Sequence, residues 1–309
     1  MTDRQNIAAW LPAVGAKLEL HPALTPSPGQ DELLIRTRAV AIQPAEYKIQ
    51  DGVLPFPLTY PTIIGLCFAG TVVETGPGVT RFKITEASFE KAAALASNLY
   101  GAISALILHL HLEQPSSTPN PLNQSKKILV WGASSSFGAS AVQIAASAGY
   151  SVVGVASGSN AELVRALGAS DFVDRNQASA TDDLIALGPF HAVLAAADSA
   201  KDQVTIGGVL AAQCGGSFLS TMGVRSGVTL PDGVTGVFAQ FLDNYLDPAN
   251  ADFTRWVWWE FLEQTLAKDQ LRALPTRVLG RLSHAQEAWD FLRQGKTSAE
   301  RLIIQPNAE

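Results

Sequence analysis

The middle of the chain alternates between short apolar runs and segments whose apolar residues recur at helical spacing. A buried-strand pattern at Ile128–Trp131 is followed by a loop of small residues and then by an alanine-rich segment, Ala139–Gly149, with a helical pattern. The alternation continues with a strand pattern at Ser151–Ala156 and a helical pattern for which Asn160 is the predicted N-cap, and it ends with a strand pattern near Gly216–Met222. Strands that alternate with helices at this pitch predict a parallel, doubly wound sheet of the Rossmann type.

The segments on either side of this region follow a different pattern. Alternating polar and apolar residues predict strands at Glu32–Ile42 and Ala69–Thr75, separated by proline-containing loops. Near the end, Arg277–Leu279 and Arg301–Ile304 predict two more strands, and Ser283 with Gln286 predicts a capping box for the helix between them. These last elements break the α/β alternation, so we expect them to pack on the first, mostly β domain. The predicted domains are 1–98 and 268–309 for this mostly β part, and 99–267 for the cofactor-binding part.

Composition narrows the function classes. The chain has 309 residues, 47% of them hydrophobic, and a formal net charge of −6. Because its longest basic run is Lys126-Lys127, a nucleic-acid surface is not expected. The two cysteines, Cys67 and Cys214, supply no disulfide framework, and the apolar run Ala102–Leu112 is too short to span a bilayer. The N-terminus also lacks a secretory-signal pattern, so we expect a cytoplasmic protein without a membrane segment.

The loop after the first strand of the α/β region is the main candidate for chemistry. It is bracketed by Gly132 and Gly138, and a strand, a small-residue loop and a helix in this order place backbone N–H groups and a positive helix end against a phosphate. Ser134 replaces the central glycine of the full dinucleotide-binding pattern, so an ordinary turn between strand and helix stays open as the alternative. The candidate cofactor contacts in this loop are Gly132, Ala133, Ser134, Ser135, Ser136, Phe137 and Gly138.

Residues at the ends of the following strands bear on the choice of cofactor. A ribose with a free 2′-hydroxyl is usually held by an acidic residue at the end of the second strand. Here that strand leads into Ser157, and no carboxylate follows until Glu162. Arg175, just after the third strand, supplies a positive charge, and Ala196 ends the fourth strand. We therefore predict NADP rather than NAD, with Ser157, Arg175 and Ala196 as further cofactor contacts.

Other chemistries find little support. The five histidines are scattered, which favours structural roles over a metal site, and no G-x-S-x-G sequence indicates a serine hydrolase. Lys48 and Tyr47 lie in a turn near Pro44; an ordinary surface lysine is one interpretation, and the wall of a cleft is the other. The helical pattern Asp252–Ala267 contains three of the six tryptophans. Burial between domains is the expected reason, with a partner surface or a pocket wall as alternatives.

Four motifs resemble the medium-chain dehydrogenase/reductase superfamily, whose GroES-like substrate domain is split around a Rossmann domain. The nearest group is the zinc-free fungal reductases that are similar to the trans-acting enoyl reductases of polyketide synthases. The matching stretches are Ala39–Asp51 (AVAIQPAEYKIQD), Tyr60–Gly78 (YPTIIGLCFAGTVVETGPG), Ile128–Asp174 and Gly295–Ile304 (GKTSAERLII).

The resemblance implies hydride transfer from NADPH to an α,β-unsaturated thioester or ketone, without a metal. It places Lys48 near the nicotinamide ribose and the substrate carbonyl, where an ammonium stabilises a developing enolate, with Tyr47 beside it. It also implies a small-molecule or carrier-protein-bound polyketide substrate and a polyketide synthase as partner.

The chain departs from the family pattern at several positions. Arg175 replaces a tyrosine, a lysine expected at Gly158 or Ser159 is missing, and Cys67 replaces an aspartate. A whole block of the substrate domain is absent between Lys83 and Glu86, which predicts a wider and less enclosed cleft. A redox-silent relative that cyclises a polyene, for example by a Diels–Alder step, is therefore the second hypothesis, and a binding or scaffold role is the third.

Overall fold

The structure is a computed structural model that describes residues 6–54, 56–80, 88–116 and 118–307. The junction Lys83–Glu86, where the resemblance places the missing block, lies outside these residues. Within the described ranges the strands are β1 Ile7–Leu11, β2 Glu19–Pro22, β3 Leu33–Ala41, β4 Thr62–Ile63, β5 Phe68–Thr75, β6 Lys127–Trp131, β7 Ser151–Ala156, β8 Asp171–Asp174, β9 Ala192–Ala195, β10 Gly216–Ser220, β11 Val234–Val237, β12 Thr276–Gly280 and β13 Arg301–Ile304.

Within the same described ranges, most of the α-helices follow strands of the α/β region. They are α1 Pro44–Gln50, α2 Phe89–Ser104, α3 Ser136–Ser147, α4 Ala161–Ala166, α5 Ala180–Leu187, α6 Ala200–Ala212, α7 Ala251–Trp256, α8 Leu262–Ala267 and α9 Ala285–Arg293. The chain folds as two compact units, one formed by Met1–Ala96 with Ala273–Glu309 and the other by Ser97–Arg272.

The second unit is built on a six-stranded parallel sheet in the order β8-β7-β6-β9-β10-β11. This is the strand order of a Rossmann fold, so the predicted doubly wound sheet is confirmed. The direction in which successive strands are added reverses between β6 and β9. These two strands are paired, with Trp131 opposite Ala195 at their carboxyl ends. In open α/β sheets a ligand binds outside the carboxyl ends of the strands at this reversal. The loop after β6 therefore starts at the expected position.

A continuous apolar core holds this sheet. Leu129, Val153, Val193 and Phe218 come from four adjacent strands and are each at most 1% exposed. The strands read as near-continuous apolar runs because helices cover both faces of a parallel sheet. The core thus fixes the positions of the strand ends that carry the candidate site.

The described residues of the first unit form two smaller sheets. One has the order β12-β13-β3-β5 and the other the order β2-β1-β4. Strand β13 pairs antiparallel with β3, with Ile303 opposite Ala41, and Ile303 is fully buried. The prediction that the closing strands pack on the first domain is therefore confirmed, and the unit is mostly β as expected.

Several local predictions are wrong. Strand β11 was not predicted from the sequence. The side chain of Asn160 makes no capping hydrogen bond, because it donates to Ser134 Oγ instead. The capping box of Ser283 and Gln286 does not form: α9 starts after a 3₁₀ turn, and the Gln286 side chain accepts a hydrogen bond from Leu18 N. In each case a tertiary contact takes the polar group that local spacing assigned to a helix end.

The two apolar helical patterns are both less regular than expected. Helix α2 has a non-helical residue at Ala96 and continues as a π-helical turn, Ala105–His109. Phe89–His109 is long and apolar enough to cross a membrane, but 56% of that window is buried inside the protein, as in a core helix. In the tryptophan-rich segment Phe253 is buried, whereas Trp258 and Trp259 are 40% and 50% exposed, so the expected burial is only partial.

We predict that Phe218→Ala destabilises the second unit strongly. The ring is fully buried in the sheet core, and removing it leaves a cavity that costs about 3–5 kcal/mol of unfolding free energy. Urea denaturation measures the difference. Phe238→Ala is the matched control, because Phe238 is 52% exposed; a similar loss in both variants would contradict the core position of Phe218.

Candidate functional site

The loop after β6 turns sharply because of Gly132. This residue has φ +76°, a conformation that favours glycine, and a Cβ there would lie 2.7 Å from the backbone of Ala197. Its N–H donates to Val155 O at 2.9 Å, and its carbonyl accepts from Ser135 N at 2.9 Å. The turn is thus fixed between β7 and the segment that follows β9.

The start of helix α3 is held against this turn. A Cβ on Gly138 would collide with Gly132 O, so only glycine permits the close approach. Ser135 is the N-cap, and its Oγ accepts from Gly138 N at 3.0 Å. The N–H groups of Ser136 and Phe137 lie in the first turn, where no intrahelical acceptor precedes them. These donors and the positive helix end fit a pyrophosphate group.

The other residues of the loop are placed by side-chain contacts. Ala133 is fully buried, and its N–H donates to Val155 O at 3.0 Å. Ser134 Oγ accepts from Asn160 Nδ2 at 3.1 Å, a contact that links the loop to the segment after β7. Asn160 was not among the predicted site residues, because its position before a helix indicated a cap.

Ser136 and Phe137 contact the region around helix α2. Asn98 Nδ2 donates to Ser136 Oγ at 3.0 Å. The rings of Phe137 and Phe241 are 5.3 Å apart, and a Cβ on Gly101 would lie 2.8 Å from the Phe137 ring. The helical amide of Phe137 is thus available to a ligand while its side chain is used in packing.

The end of β9 forms the other side of the strand-order reversal. Ala196 N donates to Trp131 O at 2.9 Å, and Ala196 O accepts from Thr221 Oγ1 at 3.2 Å. Two residues later, the Asp198 side chain is fully buried and pairs with Arg225 at 2.6 Å. The ion pair ties the loop after β9 to the loop after β10. Ala196 therefore has a fixed backbone at the carboxyl edge of the sheet.

Ser157 and Arg175 lie at the ends of β7 and β8. Arg175 N donates to Ala156 O at 3.0 Å, which places the arginine backbone beside the end of β7. The side chain of Arg175 is exposed and Ser157 is partly exposed. Asp174, which is not among the predicted site residues, ends β8 with its carboxylate against Gly158. The predicted cofactor residues of the second unit thus all lie in the loop after β6 or at the carboxyl edge of the sheet.

Tyr47 and Lys48 lie in the first unit, on helix α1. The Tyr47 ring is covered by the Arg293 guanidinium, 5.4 Å from its centroid, and Arg293 pairs with Asp51 at 2.9 Å. The Lys48 carbonyl accepts from Val53 N at 2.8 Å in the turn that follows the helix. Both side chains are partly exposed. An intermediate exposure suits a residue that contacts a ligand with its tip while its stem packs.

Helix α1 is anchored by a buried carboxylate, Glu46, which is 1% exposed. It accepts from Gln43 N at 3.2 Å, Leu66 N at 3.2 Å and Trp289 Nε1 at 3.0 Å. Burial raises the pKa of Glu46 to about 7, and these hydrogen bonds and the charge of Arg301 only partly oppose the shift. Glu46 therefore titrates near neutral pH inside the protein.

Cys67 lies in the same buried cluster. Gln43 Nε2 donates to Cys67 Sγ at 2.6 Å, and Arg301 Nη1 donates to Gln43 Oε1 at 3.3 Å. Nε and Nη2 of Arg301 are buried without a hydrogen-bond partner among the described residues, and burial lowers the Arg301 pKa. The Cys67 thiol thus accepts a hydrogen bond at the position where the resemblance implies an aspartate. Among the described residues, no group of three or more His, Cys, Asp or Glu side chains is arranged to hold a metal ion.

Comparison with known proteins agrees with this architecture. Residues 29–92 match the alcohol dehydrogenase GroES-like domain. The chain is 34% identical to Trans-enoyl reductase himH of Aspergillus japonicus, over 99% of this chain and 98% of that protein. It is 30% identical to the zinc-binding alcohol dehydrogenase domain-containing protein cipB of Emericella nidulans, over 97% and 98%. The alignment with himH spans 347 positions, more than the 309 residues of the chain, so it contains gaps in this chain.

Solved structures show the same fold. The CurK enoyl reductase superposes with a TM-score of 0.77 at 19% identity, over 97% of this chain and 99% of that one. The quinone oxidoreductase of Pseudomonas syringae pv. Tomato DC3000 gives 0.75 at 21% identity, over the same shares. The GroES-like and Rossmann-type units thus define a two-domain protein of the dehydrogenase/reductase class. The chain belongs to the medium-chain dehydrogenase/reductase superfamily, among enzymes of the enoyl reductase type.

We predict that Gly138→Ala destabilises the second unit by about 1–3 kcal/mol, because the new methyl group must displace the Gly132 carbonyl. Gly208→Ala, in helix α6, is the matched control. No atom lies within 4 Å of a Cβ at Gly208, so alanine there stabilises the helix by about 0.5–1 kcal/mol. Chemical denaturation distinguishes the two signs. If Gly138→Ala is as stable as Gly208→Ala, the loop tolerates a wider separation between residue 138 and the Gly132 carbonyl, and the prediction is wrong.

We predict that Glu46 makes stability fall with rising pH. Its pKa is raised from 4.5 to about 7 in the folded protein, so between these values the folded state holds a proton that the unfolded chain releases. The free energy of unfolding then decreases across this window by up to about 3 kcal/mol. Urea titrations between pH 4.5 and 8 measure the slope. Glu46→Gln should flatten it and the exposed Glu287→Gln should not; an unchanged slope in Glu46→Gln contradicts the assignment.

Proposed function

We propose that this protein is an NADPH-dependent, metal-independent enoyl reductase that acts on an α,β-unsaturated polyketide-type substrate. The observation that carries the proposal is the strand-loop-helix site closed by Gly132 and Gly138, in a chain that aligns at full length with a trans-enoyl reductase. The loop is the evidence for a nucleotide coenzyme. The similarity to a trans-enoyl reductase is the evidence for the class of substrate.

The coenzyme's diphosphate is held by backbone donors of the loop. The first-turn N–H groups of Ser136 and Phe137 bind phosphate oxygens, and the Ser135 cap keeps the helix start in place. Arg175 and Ser157 favour a 2′-phosphate, since one carries a positive charge and the other a neutral hydroxyl. A nicotinamide coenzyme held there would supply the hydride.

Lys48 is the proposed catalytic residue for substrate activation. Hydride addition at the β-carbon shifts the electron pair of the double bond towards the carbonyl, and an enolate develops. The Lys48 ammonium stabilises that negative charge, and the α-carbon then takes a proton from water to complete the reduction. Tyr47 is held by the Arg293 guanidinium and positions the same helix.

The proposal extends to the source of the substrate. A carrier-protein-bound acyl chain is the expected form, and a polyketide synthase is the expected partner, in the cytoplasm. The absence of the block expected between Lys83 and Glu86 predicts an open cleft. Such a cleft accommodates a large substrate.

We predict that the purified protein binds NADPH and oxidises it only with an enoyl thioester. Loss of nicotinamide absorbance measures turnover, and calorimetry or thermal shift measures binding. Coenzyme at about 100 times its Kd should stabilise the fold by roughly 2.7 kcal/mol. A protein that binds neither nicotinamide coenzyme and reduces no enoyl substrate is not a reductase. Conversion of a polyene substrate without coenzyme would support the cyclase hypothesis instead.

We predict that Lys48→Ala lowers kcat about 10²–10³-fold, the loss typical of one oxyanion-stabilising donor. NADPH affinity should change much less, because the diphosphate site lies in the second unit. Lys17→Ala, an exposed lysine of the same unit, is the control and should retain full activity. Normal kcat in Lys48→Ala would remove Lys48 from the mechanism while leaving the coenzyme proposal intact.

A further inference from the structure

We infer that Asp174 limits the preference of this protein for a 2′-phosphorylated coenzyme. The inference rests on the proposed function, since it concerns the adenosine end of the same coenzyme site. The Asp174 carboxylate repels the negative charge of a 2′-phosphate and accepts a hydrogen bond from a free 2′-hydroxyl. Asp174 therefore makes the preference for NADPH over NADH smaller than Arg175 and Ser157 alone would give.

The position of Asp174 follows from strand register. Asp174 is the last residue of β8 and is paired with Ala156, the last residue of β7. The two strands are parallel, so both residues lie at the carboxyl edge of the sheet. Ser157 and Gly158 follow Ala156 directly. The residue that ends β8 is thus adjacent to the segment that holds the adenosine ribose in Rossmann folds.

One hydrogen bond orients the carboxylate, and its other oxygen lies close to the backbone of residue 158. Asp174 Oδ1 accepts from Asn176 N at 3.0 Å. Oδ2 lies against Gly158, so closely that a Cβ on residue 158 would collide with it. The negative charge therefore faces the backbone immediately after Ser157. The collision also gives a reason why residue 158 is glycine.

The charges at this edge oppose one another. Arg175 favours a phosphate and Asp174 disfavours it, and within the described chain neither side chain forms an ion pair. A 2′-phosphate carries about two negative charges at neutral pH, so it is attracted by one group and repelled by the other. A 2′-hydroxyl avoids the repulsion and can donate to the carboxylate.

The test compares coenzyme affinities rather than turnover. Kd values for NADPH and NADH, measured by calorimetry at low salt, give an affinity ratio for each variant of the full chain. Asp174→Asn keeps the shape and the acceptor for Asn176 N while removing the charge. It should raise the preference for NADPH about tenfold, the size expected for one nearby charge at a partly solvated site. Arg175→Ala should lower the same preference.

Asp171→Asn is the matched control. Asp171 is the first residue of β8, three residues from Asp174 at the opposite end of the strand, and its substitution should leave the ratio unchanged. An unchanged ratio in Asp174→Asn, with both coenzymes still bound, overturns the inference alone. If the wild-type protein binds neither coenzyme, the proposed function fails and the inference with it. Higher salt should reduce the effect of Asp174→Asn.

Discussion

The close approach of Gly138 to the Gly132 carbonyl is the constraint on which the candidate coenzyme site depends. It brings the start of α3 onto the end of β6, where neither a Cβ on residue 138 nor one on residue 132 has room. The Ser135 cap then completes the turn. A helix end this near a strand end presents its unsatisfied N–H groups at the reversal of strand order, so backbone packing alone creates the candidate phosphate site.

The first unit depends on a different kind of interaction, a buried cluster of polar side chains. Glu46 gains three hydrogen bonds in exchange for its hydration, and these bonds connect α1 to the segment before β5 and to α9. The cost of burying the carboxylate is visible in its raised pKa. The cluster holds the helix that carries Tyr47 and Lys48, which suggests why a polar group is retained in this core.

Much of the architecture follows from the sequence pattern alone. The apolar runs of β6, β7 and β13 predict strands within a residue of their observed bounds, because strands buried on both faces have few alternatives. The closing strands were correctly expected on the first domain. The predictions that depended on polar residues near helix ends fared worse. Asn160 and Gln286 both use their side chains on distant partners, and no spacing rule reveals those partners.

The sequence by itself determined the family and the parallel sheet and located the loop between Gly132 and Gly138, since all three rest on local patterns of apolar residues and glycines. Only the tertiary structure decided which polar groups meet. It placed Asp174 beside Gly158 through the pairing of β7 with β8, and it joined Cys67, Gln43 and Arg301 in one buried cluster. Such contacts join residues far apart in the chain. They cannot be predicted from the sequence, because strand register and core packing, rather than spacing along the chain, determine which charged groups lie at the same edge of the sheet.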